Sequence, residues 1–145
     1  MVPKETAPEE TSTALIIANG EITDFSIISE YQEECDFIVC TDGAANNLLK
    51  SDIIPDLIIG DLDSLSKEAR THFEADTEIV QNTSQESTDL EKAFEYLIET
   101  NCESVFLTGH SGGRYDHTLT NLSIFAKYSS RFQITLFDHI SDGII

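Results

Sequence analysis

The sequence predicts an α/β fold, a doubly wound and mainly parallel sheet of about six strands with helices on both faces. Short runs rich in Ile, Val and Phe alternate along the chain with segments of helical periodicity. These runs are apolar throughout rather than at alternate positions, which is typical of parallel strands buried on both faces. The predicted strands are residues 15–18, 37–41, 57–59, 78–80, 105–108 and 132–137.

The clearest helix is predicted over residues 88–100, where apolar side chains recur at intervals of three and four from Leu90 to Ile98. Thr88 and Glu91 at its start have the spacing of a capping box. A second apolar stripe predicts a helix over residues 114–128. Weaker helical patterns cover residues 24–34, 44–50 and 66–75.

Composition limits the classes of function. The 145 residues suit one domain, and 27 Asp and Glu against 8 Lys and Arg give a formal charge of −19. Nucleic acids and anionic membranes require a basic surface, so neither is an expected partner. Apolar runs are far too short to span a bilayer. The three cysteines lack zinc-like spacing and are expected to be small buried side chains in a reducing cytoplasm. Residues 1–13 are expected to form a flexible leader.

Aspartates follow the predicted strands. Asp42 follows the second strand, Asp61 and Asp63 the third, Asp89 opens the helix after the fourth, and Asp116 follows the fifth. The carboxyl ends of parallel strands meet at one edge, so these side chains are expected to gather there. Crowded carboxylates repel each other unless a cation lies among them, and oxygen ligands favour Mg²⁺. Taken singly, each aspartate could equally cap a helix or shape a turn.

A glycine-rich run, residues 109–114, precedes the last predicted helix. Its backbone N–H groups could form an anion-binding nest, with Arg114 as a phosphate ligand, or it could be only a tight turn with a surface arginine. His117 and Asn121 share a helical face, where His117 is a structural residue or a base. Lys92 is a surface ion-pair partner or a phosphate contact. Together these features indicate Mg²⁺-dependent chemistry on a nucleoside triphosphate or a similar polyphosphate.

Four segments, residues 41–46, 55–64, 85–89 and 112–117, occur with Asn121 in an order and spacing that resembles the thiamine pyrophosphokinase family. The resemblance implies Mg²⁺-dependent transfer of the β,γ-diphosphate of ATP to thiamine, with release of AMP, by a homodimer. It implies that residues 14–138 are the catalytic, ATP-binding domain. Residues 139–145 would begin a missing C-terminal β-sandwich that binds thiamine, so the chain is expected to be a truncated catalytic domain that turns over thiamine poorly.

The resemblance also implies roles for individual residues. The expected metal ligands are Asp61, Asp63 and Asp89, and Arg114 and Asp116 join them as catalytic residues. The expected ATP- and phosphate-binding residues are Asn19, Asp42, Gly43, Asn46, Ser64, Lys92, Gly112, Gly113, Arg114 and His117. The expected substrate-binding residues are Gln85, Thr88, Asp116 and Asn121. Two positions depart from the family pattern, Ala44 in place of a glycine and Glu86 in place of an aspartate.

Three alternatives remain open at this point. A diphosphokinase of the same fold could act on another alcohol, such as a hydroxymethylpterin. A nucleotide-sugar transferase could use Asp61 and Asp63 with Mn²⁺, which would leave the glycine–arginine run unexplained. The chain could also be a non-catalytic nucleotide-binding fragment that lacks an acceptor pocket.

Overall fold

The computed structural model describes residues 12–20, 25–109, 115–137 and 142–144, with the backbone alone at 115–120 and 142–144. These ranges contain seven strands and five helices. The strands are β1 (Ser12–Ile17), β2 (Phe37–Thr41), β3 (Leu57–Gly60), β4 (Glu78–Gln81), β5 (Cys102–Thr108), β6 (Gln133–Phe137) and β7 (Asp142–Ile144). The helices are α1 (Phe25–Gln32), α2 (Asp42–Leu48), α3 (Lys67–Phe73), α4 (Asp89–Ile98) and α5 (Tyr115–Tyr128).

All seven strands form one sheet in the order β4-β3-β2-β1-β5-β6-β7. Strands β1 to β6 run parallel, and the short β7 pairs antiparallel with β6, with Gly143 opposite Leu136. The predicted fold class is therefore confirmed. The assignment of 139–145 to a further domain stays a prediction, whereas residues 142–144 extend this sheet by one strand.

Helices cover both faces of the sheet, and successive strand residues contribute to opposite layers. Leu15 and Ile17 of β1 pack in the layer formed with α1, α2 and α3, whereas Ala14 and Ile16 pack in the layer formed with α4 and α5. Because both faces are buried, the central strands need apolar residues at every position, which explains their unbroken apolar runs.

The direction of winding reverses between β1 and β5. The chain moves outward from β1 to β4, and α4 then returns it to the other side of β1. In such sheets ligands bind beyond the carboxyl ends of the strands at this reversal. The two strands remain close there: Ala18 N donates to Thr108 O at 2.9 Å. Gly109 has φ +73°, and a Cβ on it would lie 2.1 Å from Ala18 O, so this approach requires glycine.

Two helix starts illustrate how local sequence sets the element boundaries. The predicted capping box of α4 is confirmed, because Thr88 Oγ1 accepts from Glu91 N and Glu91 Oε1 accepts from Thr88 N, both at 3.2 Å. The predicted start of α2 at residue 44 is wrong, since α2 begins at Asp42. Within the described ranges no helix is long and apolar enough to cross a membrane.

Candidate active site

A cavity of about 310 Å³ opens at the carboxyl ends of the strands, bordered by β1, β2, α4 and α5. It is large enough for part of a nucleotide-sized ligand. Seven of the predicted site residues line it: Asn19, Asp61, Gln85, Thr88, Asp89, Lys92 and Asn121. The strand-end argument therefore brings together side chains that are far apart in the sequence.

Asp42 lies just behind this cavity and is completely buried. Its Oδ1 accepts from Gly43 N at 2.8 Å, and its Oδ2 accepts from Leu62 N at 2.9 Å. A Cβ on Gly60 would lie 2.7 Å from Asp42 Cγ, so the carboxylate occupies space that only glycine leaves free. Asp42 thereby connects the end of β2 to the loop that follows β3.

The carboxyl group of Asp89 lies close enough to Asp42 to act on its pKa. Burial, and secondarily the charge of Asp89, raises the pKa of Asp42 to about 6. Two carboxylates this close repel each other, a cation beside them would reduce that repulsion, and their hard oxygen atoms suit a divalent cation such as Mg²⁺. Across the described part of the chain, no three Asp, Glu, His or Cys side chains converge on one point. The residues thus fit a metal through the two carboxylates that border the cavity, Asp61 and Asp89, rather than as a finished three-ligand centre.

The loop after β3 carries Asp61 and Asp63 on either side of a left-handed residue. Leu62 has φ 72°, a conformation that costs a non-glycine residue about 1–2 kcal/mol. Asp63 N donates to Asp61 Oδ1 at 2.9 Å, and Gln81 Nε2 donates to Asp61 O at 3.2 Å. Asp61 borders the cavity, whereas Asp63 is exposed and does not.

Asn46 holds the same loop from the opposite side. Its Nδ2 donates to Ser64 O at 2.6 Å, and its Oδ1 accepts from Ser66 N at 2.9 Å. Ser66 in turn caps α3 by accepting from Ala69 N at 3.0 Å. Both ends of the Asn46 amide are therefore occupied by the backbone of the loop, and the Ser64 contact is made by its carbonyl oxygen.

The first turn of α4 presents one charge of each sign to the cavity. Lys92 Nζ lies 3.6 Å from Asp89 Oδ1, and only 3% of the Lys92 side chain is exposed. A buried ammonium group is costly unless it is paired, so it favours an anionic partner. The interpretation of Lys92 as a surface ion-pair partner is therefore wrong, because the side chain is buried although it pairs with Asp89, and a phosphate contact stays a prediction.

The remaining predicted residues divide between described and undescribed parts of the chain. Asn121 is 2% exposed and lines the cavity. Gly43 is buried, and a Cβ on it would lie 2.5 Å from Asn19 Nδ2. Gly112, Gly113 and Arg114 lie outside the described residues. Asp116 and His117 lie at the start of α5, within residues 115–120, where only the backbone is described.

Sequence reasoning missed two residues of this region. Thr41 borders the cavity directly before Asp42, and its place at a strand end was the signal that could have indicated it. Leu62 links the acidic loop to Asp42 through its backbone N–H group, and no feature of a leucine side chain indicates such a role.

A profile of the thiamin pyrophosphokinase catalytic domain matches residues 28–137. The chain belongs to this family. Thiamin pyrophosphokinase 1 of Caenorhabditis elegans is 30% identical over 136 residues, which cover 87% of this chain and 55% of the relative. Thiamine pyrophosphokinase of Bacillus subtilis is 29% identical over 129 residues, covering 87% of this chain and 60% of that protein.

Solved structures agree with the family assignment. The crystal structure of thiamine pyrophosphokinase from Bacillus subtilis superposes with a TM-score of 0.72 at 28% identity, covering 88% of this chain and 61% of that chain. Thiamin pyrophosphokinase from Candida albicans gives 0.68 at 25% identity, covering 87% and 58%. The family is one of transferase enzymes, and this chain spans little more than half the length of the relatives it matches.

Proposed function

We propose that this chain is the catalytic domain of a thiamine pyrophosphokinase, which transfers diphosphate from ATP to thiamine and releases AMP. One observation carries the proposal beyond the family match: Asp61, Asp89 and the buried ammonium group of Lys92 border one cavity at the reversal of the sheet. Diphosphate transfer requires mainly positioning and charge neutralisation, and this arrangement offers both.

Mg²⁺ is the proposed cofactor. Asp61 and Asp89 would hold it, with Asp42 behind Asp89, and Asp63 would join them after a change in its side-chain direction. The closeness of Asp42 to Asp89 supports this, because a cation at Asp89 would offset the repulsion between the two carboxylates. When bound, Mg²⁺ neutralises charge on the phosphates during transfer.

The chain's own residues would bind and orient the two substrates. Lys92 would bind a phosphate oxygen, and Asn46 would keep the acidic loop in place through Ser64 and Ser66. The thiamine hydroxyl oxygen attacks the β-phosphorus of ATP, the bond from that phosphorus to the AMP oxygen breaks, and the hydroxyl proton passes to solvent water. No side-chain nucleophile is needed for this step.

The other expected roles remain part of the proposal. These are ATP and phosphate binding by Asn19, Asp42, Gly43, Asn46, Ser64, Gly112, Gly113, Arg114 and His117, substrate binding by Gln85, Thr88, Asp116 and Asn121, and catalytic roles for Arg114 and Asp116. A homodimer that includes a C-terminal thiamine-binding domain, and a cytoplasmic location, are proposed on the same basis.

Calorimetry with Mg²⁺ and α,β-methylene-ATP tests the nucleotide site, because the methylene group replaces the bridge that the reaction breaks. We expect Mg²⁺-dependent binding by the wild type, and a loss of at least tenfold in Asp61→Asn and Asp89→Asn. Asp76→Asn is the matched control, because Asp76 is exposed and precedes β4 at the opposite edge of the sheet. Undiminished Mg²⁺-dependent binding in both site variants would refute the metal assignment. Release of AMP with thiamine but not with a hydroxymethylpterin would establish the acceptor.

A further inference from the structure

Thr41 ends β2 at the floor of the cavity and is 2% exposed. Its hydroxyl oxygen is enclosed and has no hydrogen-bond partner among the described residues. A buried hydroxyl without a partner costs about 1–3 kcal/mol, and such groups are rare in folded proteins. The position therefore requires an explanation.

Helix capping, the usual structural role of a threonine at this position, does not explain the unpartnered hydroxyl of Thr41. Thr41 is the residue before α2, where a threonine side chain commonly accepts from a backbone N–H group of the helix. Here that side-chain bond is not made. The hydroxyl thus contributes neither to the start of α2 nor to another contact in the described structure.

The sheet face that Thr41 occupies points to a ligand. Side chains alternate along a strand, so Thr41 lies on the same face as Val39, which packs in the layer of α4 and α5. This is the side from which Asp89 and Lys92 border the cavity. Rotation about the Cα–Cβ bond of threonine moves its hydroxyl between staggered positions, so a ligand in the cavity can recruit it.

We infer that Thr41 Oγ1 donates a hydrogen bond to a phosphate oxygen of the bound nucleotide. The inference rests on the proposed function and adds a binding residue to it. A phosphate oxygen is an acceptor of the kind that this donor lacks, and the nearby Lys92 ammonium group favours an anion at the same place.

Thr41→Val removes the hydroxyl and keeps the shape of the side chain, whereas Thr41→Ser keeps the hydroxyl. We expect the affinity for α,β-methylene-ATP with Mg²⁺ to fall about tenfold in Thr41→Val and to stay within about threefold in Thr41→Ser. The affinity for adenosine should not change. Without ligand, the melting temperature of Thr41→Val should equal or exceed that of the wild type, because an unpartnered buried hydroxyl is removed.

Thr77→Val is the matched control. Thr77 is also buried, but its Oγ1 donates to Pro55 O at 2.7 Å, far from the cavity. This variant should melt at a lower temperature than the wild type and bind nucleotide with unchanged affinity. Contrasting changes in melting temperature and nucleotide affinity in the two variants would distinguish a hydroxyl that binds a ligand from one that stabilises the fold.

Several outcomes would overturn the inference. Unchanged nucleotide affinity in Thr41→Val, or a lower melting temperature like that of Thr77→Val, would show that the hydroxyl has no ligand role. An equal loss of adenosine affinity, or a loss of Mg²⁺ affinity without nucleotide, would exclude the phosphate as its partner. Absence of nucleotide binding by the wild type would instead refute the proposed function, and this inference with it.

Discussion

Replacing Asn46 with alanine tests whether the acidic loop is held from α2. The change removes two hydrogen bonds, one to Ser64 O at 2.6 Å and one from Ser66 N at 2.9 Å. At roughly 1 kcal/mol net for each bond, we expect the free energy of unfolding to fall by about 2 kcal/mol. For a chain of this size that corresponds to a drop of about 4–8 °C in melting temperature. Urea and thermal unfolding of the ligand-free protein measure both quantities.

Two further substitutions sharpen this test. Asn46→Asp keeps the acceptor for Ser66 N but places a second acceptor against Ser64 O, so it should cost more than alanine, about 3 kcal/mol. Asn47→Ala is the control, because no side-chain hydrogen bond of Asn47 occurs within the described residues, and it should stay within about 0.5 kcal/mol. The loop also carries Asp61, so Asn46→Ala should weaken Mg²⁺-dependent nucleotide binding several-fold. A loss of stability below 0.5 kcal/mol in Asn46→Ala would refute the reasoning.

Three other measurements follow from the geometry. The pKa of Asp42 is about 6 in the folded chain, above its ordinary value of 3.8, so its contribution to stability is fully present below about pH 4 and is lost as the pH rises through 6. The unfolding free energy of the ligand-free wild type should therefore fall across this range relative to Asp42→Asn, and parallel curves would contradict this. Gly109→Ala should lower stability by about 3 kcal/mol in urea unfolding, because its Cβ would meet Ala18 O in a left-handed backbone; a cost below 1 kcal/mol would contradict the geometry. Thr88→Ala should cost about 1 kcal/mol through the lost helix cap, and Thr88→Ser should restore it.

The strands and the main helices follow from local patterns in the sequence. The apolar runs identify the central strands β1 to β3 because strands covered on both faces are apolar along their length, whereas β4 at the sheet edge is partly exposed and shows only Ile79 and Val80. Local patterns do not show that β5 is the second neighbour of β1. The pairing of Ser12 with Cys102 depends on where α4 returns the chain, which is a property of the whole sheet.

The site residues likewise include some whose positions the sequence predicts and others whose positions it does not. That Asp61, Asp89 and Lys92 border one cavity is predictable, because the carboxyl ends of parallel strands share an edge. The inward direction of Asp42 is not, since it depends on α2 beginning at that residue and on the space beside Gly60. A sequence pattern likewise does not show that Asn46 is bonded to the loop between β3 and α3.

The reversal of the sheet also sets an order for folding during synthesis. Strands β1 to β4 and the helices α1 to α3 leave the ribosome first. They can form a four-stranded sheet with helices on only one of its faces. The other face, and the edge of β1 that later receives β5, stay bare until α4 and β5 have been made. An apolar face and an unpaired strand edge invite association with other chains. Slow translation through this interval should therefore increase aggregation of nascent chains and their need for a chaperone.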